Sequence, residues 1–153
     1  MQTIIQLFIN GIMVGGIYGL ISMGLTLIFG VMKIINFAHG EFFMLSMYGT
    51  FWLFHLLGIH PYLSVFLMVP IMFAIGLVTQ RGLIQRLIDA PDIAQIFVTV
   101  GLSIALQNGV LFAWSADYRG IKIPFAAKSL LLGGMMFSLS RLLVFGVTVA
   151  VML

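Results

Sequence analysis

The chain has 153 residues, 62% hydrophobic and 7% charged, against about 25% charged in soluble domains, which excludes a soluble globular protein and marks an integral membrane protein with the lipid bilayer as its solvent. Its net charge of +3 comes from seven Lys and Arg scattered over loops, which bears on membrane topology and excludes nucleic acid as a partner, since that needs a basic face with stacking groups. The absence of cysteine excludes disulfides, thiolate zinc sites and a thiol nucleophile, and the eleven methionines read as flexible apolar packing.

A first membrane span is expected over residues 4–31. The chain carries no Asp, Glu, Lys or Arg from Met1 to Met32. It lacks the basic n-region of a cleaved signal peptide, and its apolar run exceeds the usual ~7–15 residues of one. Gly11, Gly15, Gly19, Ser22, Thr26 and Gly30 recur at steps of three or four and so share one helix face. Gly11, Gly15 and Gly19 form a doubled small-xxx-small motif that admits a neighbouring helix backbone. The seam is read as helix packing, with the border of a substrate path as the alternative.

Asn36-Phe37-Ala38-His39-Gly40-Glu41 follows, between this run and a second uncharged run from Phe42 to Gln80. It reads as the junction between two spans. An acid this close to hydrocarbon costs roughly 2.5–3.5 kcal/mol near a helix centre, so Glu41 is expected to face water, protein or a partner charge, and Lys33 is a candidate for that charge. Gly40 tolerates backbone conformations that other residues avoid.

The second uncharged run is too long for one span. Gly58-Ile59-His60-Pro61 divides it, since Pro61 lacks a backbone donor and Gly58 suits a helix end. Spans are expected over 41–57 and 62–80, with Pro70 kinking the second. Glu41, Tyr48, Trp52 and His55 share a face of the first, which is expected to look into the bundle. Trp52, His55, His60 and Tyr62 also suit interface anchors.

Arg81 to Ile93 is a solvated loop with Arg81, Arg86, Asp89 and Asp92. A fourth span is expected over 94–115. It carries a second small-residue stripe, Gly101, Ala105 and Gly109, beside a polar stripe of Thr99, Ser103 and Gln107, with Asn108 adding another amide. Interhelical hydrogen bonding and the lining of a path are both open for these. Asp117–Gly134 is polar, with Arg119, Lys122 and Lys128, and the loose alternation from Tyr118 to Phe125 allows a short extended piece. An incomplete fifth span is expected over 135–153, with Arg141 at the interface. The chain reads as the front part of a larger membrane protein. The expected fold is an all-α, polytopic transmembrane helix bundle of about five spans. Lys and Arg distribute evenly between the two sides, so charge alone leaves the orientation open.

Catalytic chemistry has no footing. His39-Gly40-Glu41 is not the His-Glu-x-x-His zinc motif, and Gly-x-Ser-x-Gly is absent. No glycine-rich loop followed by Lys and Ser or Thr is present, so the chain is not expected to bind nucleotide. No metal or cofactor is expected.

Gly24-Leu25-Thr26-Leu27-Ile28-Phe29-Gly30-Val31-Met32-Lys33-Ile34-Ile35-Asn36-Phe37-Ala38-His39-Gly40-Glu41 strongly resembles the branched-chain amino acid ABC transporter permeases of the LivH type. Asn10-Gly11 and Gly15-Gly16-Ile17-Tyr18-Gly19-Leu20 resemble that family's first span. Thr99-Val100-Gly101-Leu102-Ser103 and Gln107-Asn108 resemble its fourth. The resemblance covers about residues 4–128. It implies a multi-pass bacterial inner-membrane subunit that pairs with a second, related permease. It also implies two cytoplasmic ATPase subunits and a periplasmic or extracellular solute-binding protein. It puts Arg81–Ile93 inside, hence the N-terminus outside. Relatives carrying urea or short amides share the pattern, so those solutes are the alternative to Leu, Ile and Val, and a non-transporting scaffold or channel subunit is a further one. Asn36, His39, Gly40, Glu41, Thr99, Ser103, Gln107 and Asn108 are the candidates for substrate path or gating.

Overall fold

The computed structural model describes residues 2–121, 129–132 and 135–152. The elements are α1 (Gln2–Met32), α2 (His39–Leu57), α3 (Pro61–Gly82), a 3-10 turn (Ile84–Leu87), α4 (Asp92–Trp114), β1 (Ser129–Leu132), β2 (Met135–Ser138) and α5 (Leu139–Met152). The architecture is an all-α membrane helix bundle with one small antiparallel hairpin. The described residues divide into two units: one holds α1 up to Leu27, the hairpin and α5, and the other holds residues 28–121.

The uncharged run makes α1 a helix of 31 residues, more than the ~20 that cross a bilayer core. Hydrocarbon offers no hydrogen bonds, so polar groups in such a helix must be satisfied within it. Accordingly the Ser22 and Thr26 hydroxyls donate to the Tyr18 and Ser22 carbonyls, each at 2.8 Å. In the first unit, α1 meets α5 at Gly16, where an added Cβ would lie 2.8 Å from Phe145 Cε2, and at Gly19, 3.1 Å from Met152 Cε. The hairpin pairs Ser129 with Ser138 and Leu132 with Met135, and β2 runs directly into α5.

In the second unit α2 packs on both α3 and α4. Gly49 lets α3 approach, since a Cβ there would lie 2.7 Å from Met68 Sδ, and Met68 and Ser64 are buried. α2 stops at Gly58, whose φ of 66° is a left-handed conformation that glycine adopts freely. Its amide donates to the Phe54 carbonyl at 3.0 Å. Pro61 opens α3, where its missing N–H costs nothing, and α3 continues through Pro70.

Among the described residues three helical stretches are long and apolar enough to cross a membrane: Ile4–Met32, Pro61–Leu87 and Asp92–Trp114. α2 has 19 residues but carries His39, Glu41 and His55, so it is less apolar than the other three. α5 has only 14 residues, because the sequence expectation of a span from 135 meets a strand over Met135–Ser138 instead. Four of the five expected spans correspond to helices, three of them of spanning length and apolarity among the described residues, while the fifth is helical only over Leu139–Met152. The extended piece expected at Tyr118–Phe125 shows no regular structure over residues 118–121; its remainder, residues 122–125, lies outside the described residues, as does Lys128.

Candidate functional site at the α1–α2 junction

α1 is followed by Lys33, which has a φ of 54°. Left-handed backbone costs an L-residue with a Cβ roughly 1–2 kcal/mol, so the surroundings must hold it. They do so through Ile34 and Ala38, which are 1% and 0% exposed, and through the Lys33 amide, which donates to the Phe29 carbonyl at 2.7 Å. Asn36 Oδ1 accepts from the Ala38 amide at 3.0 Å, the side-chain turn that Asn favours. The Asn36 carbonyl accepts from the His39 amide at 3.3 Å, and the Ala38 carbonyl from the Glu41 amide at 3.1 Å. The junction is thus closed by its own short-range bonds. Gly40 sits inside α2, and its φ is not positive: among the described glycines only Gly58 is left-handed. The conformational freedom expected of Gly40 is not used.

α4 supplies the long-range half of the site. The Thr99 side chain is fully buried, and its hydroxyl reaches the Ile35 carbonyl at 3.1 Å. Its one proton is shared with the Gln95 and Ile96 carbonyls at 2.9 and 3.2 Å. One turn on, Glu41 Oε1 accepts from the Ser103 hydroxyl and from Gln107 Nε2 at 2.5 Å. Glu41 and Ser103 are half-buried and Gln107 is exposed. Asn108 stays outside this group: its amide donates to the Ile104 carbonyl of its own helix at 2.8 Å. Lys33 does not pair with Glu41 among the described residues; it lines a recess with Asp92 and Gln95.

The depth of this cluster follows from α4. Ser103 is the twelfth of its 23 residues, so the carboxylate meets a candidate span at its middle. Asn36, His39 and Phe42 line a cavity of about 270 Å³ together with Met72, Gly76 and Thr79 of α3. His39 also meets Phe43 edge-on, ring centroids 5.1 Å apart.

The face of α2 that carries Glu41 continues along α4. Tyr48 stacks on Trp114 at 5.2 Å. Beyond the helix end, the Arg119 guanidinium lies 5.4 Å from the Trp52 ring and 5.7 Å from Phe51, and donates to the Trp114 carbonyl at 2.8 Å. A cation over aromatic faces is worth ~0.5–2 kcal/mol. Sequence reading placed Arg119 in a polar loop; its position five residues after Trp114 was the available signal. It also missed Gly16 and Gly49 as the close-approach glycines. At Gly11, Gly15, Gly101 and Gly109 an added Cβ meets nothing within 4 Å among the described residues, and Ala105 is exposed. Among the described residues no three His, Asp or Glu side chains group as metal ligands.

Residues 7–153 match the family described as branched-chain amino acid transport system, permease component. The high-affinity branched-chain amino acid transport system permease protein BraD of Pseudomonas aeruginosa is 31% identical over 160 residues, covering 97% of this chain and 52% of the relative. The corresponding permease proteins LivH of Salmonella typhimurium and of Escherichia coli are each 30% identical over 128 residues, covering 78% of this chain and 41% of theirs. The chain thus spans about half the length of these curated relatives. No solved structure matches it.

Proposed function

The chain belongs to the branched-chain amino acid transport system permease family, and from that membership we propose that it forms part of the permease subunit of an ATP-driven importer of leucine, isoleucine and valine. The observation that carries this reading is the family match, which runs over residues 7–153. A helix bundle with a polar cluster at mid-span suits a solute path, because ionisable groups within spans mark such paths more often than they serve packing. The subunit sits in the bacterial inner membrane with its N-terminus outside. A second related permease, two cytoplasmic ATPase subunits and a periplasmic or extracellular binding protein complete the machine. Nucleotide hydrolysis belongs to those ATPases, since this sequence has no phosphate-binding loop.

The test is uptake of radiolabelled solutes by cells with and without the gene. Loss of leucine, isoleucine and valine uptake, abolished equally by ATP depletion, is the expected result. Loss of urea or short-amide uptake instead reassigns the solute. Uptake unchanged for every solute overturns the transport reading in favour of a scaffold.

A further inference from the structure

Glu41 is bonded on one side only. Both α4 donors, Ser103 and Gln107, go to Oε1, while Oε2 accepts no bond from the described residues. An ionised carboxylate offers about four lone-pair sites, so Glu41 keeps acceptor capacity that Ser103 and Gln107 do not use. The Gln107 carbonyl oxygen likewise accepts nothing from the described residues, because its amide nitrogen is committed to Glu41 and, at 3.4 Å, to Ser103. The cluster therefore presents acceptors only: one carboxylate oxygen and one amide oxygen, on the exposed edge of α4, with a negative charge behind them. Its complement is a compact cation with several N–H donors.

We propose that Glu41 is a station for the α-ammonium group of the translocated amino acid, with Ser103 and Gln107 as positioning residues that turn its second oxygen toward the path. This rests on the reading above that the solute is an amino acid. An ammonium brings three donors and a positive charge, which matches the acceptor set. Neutral urea or an amide brings N–H donors without the charge. A Lys or Arg from a neighbouring transmembrane helix would satisfy the same acceptors, and the experiment separates that case.

The intact transporter with its partner subunits is treated, in membrane vesicles, with dicyclohexylcarbodiimide, which reacts with carboxyl groups inside apolar surroundings. Modification of Glu41 is followed by mass spectrometry. Leucine is expected to reduce the labelling about fivefold by occupancy, whereas 4-methylpentanoate, the same skeleton without the amino group, leaves it unchanged. In parallel, Glu41→Gln is expected to lower leucine uptake about tenfold or more, with subunits still co-purifying. Glu41→Asp, which keeps the charge, restores part of it. Equal protection by both compounds, no protection by leucine, or wild-type uptake in Glu41→Gln overturns the proposal. Loss of subunit co-purification in Glu41→Gln and Glu41→Asp alike assigns the carboxylate to a neighbouring helix and also overturns it. Wild-type leucine uptake is scored separately: if it persists while the Glu41 results fail, only this proposal falls, and if the wild type moves no branched-chain amino acid, the parent reading falls with it.

Discussion

Thr99 of α4 and Glu41 of α2 do different work where the two helices meet. Thr99 reaches the Ile35 carbonyl, an acceptor in the stretch where α1 has ended and α2 has not begun. Thr99→Val keeps the shape and removes the donor, leaving that carbonyl without its α4 partner. Its expected cost is about 0.5–2 kcal/mol, the range of polar contacts within membranes. A thermal unfolding curve of the purified protein in detergent checks this, and Thr99→Ser is expected to restore the wild-type midpoint. Glu41, in contrast, keeps one oxygen in reserve, so under the proposal above its loss registers in uptake before it registers in stability. Neither partner was legible from the sequence. Glu41 and Ser103 lie 62 residues apart, and nothing local specifies which polar residue of α4 meets which residue of the junction. What was legible was the chemistry: an acid flanked by apolar runs, and a polar stripe Thr99, Ser103, Gln107 awaiting a partner.

At the scale of elements, α2 is held between α3 and α4 by two unlike contacts. Toward α4 it offers Glu41 and Tyr48; toward α3 it offers Gly49, with Met68 set against it. Gly49→Ala meets the flexible end of a methionine, which can swing aside. Gly49→Val adds bulk that cannot be absorbed so easily, and is expected to destabilise the protein by about 1–3 kcal/mol. Met68→Ala in the same chain should recover part of that loss, measured by thermal unfolding of the single and double variants. The helix bounds were readable because Gly58, Pro61 and the charged loop after Gln80 interrupt otherwise uniform hydrocarbon: α2 and α3 begin and end within two residues of expectation. The hairpin was not read. Ser129–Leu132 and Met135–Ser138 are rich in Leu and Met, which carry no strand preference, and the one signal was Gly133-Gly134 between two apolar tetrapeptides, a common two-residue hairpin sequence. Missing it extended the expected fifth span over residues that are strand.

At the scale of the molecule, α3 is a span whose two ends must lie on opposite sides of the membrane. The turn at His60 is outside and the loop at Asp89 inside in the orientation proposed. These 153 residues hold no cysteine, so a single introduced thiol is their one maleimide site. In whole cells, His60→Cys is expected to react with a membrane-impermeant maleimide, and Asp89→Cys only after permeabilisation. The reverse pattern inverts the orientation. The chain also carries its own optical reporter. It has two tryptophans, Trp52 and Trp114, and both belong to the group gathered by Arg119. Within these 153 residues intrinsic indole emission is therefore a local signal from one end of the α2–α4 contact. Arg119→Ala is expected to shift that emission and to raise its quenching by iodide. If the contact opens and closes as solute moves, the same emission will follow the cycle in real time, with no dye attached.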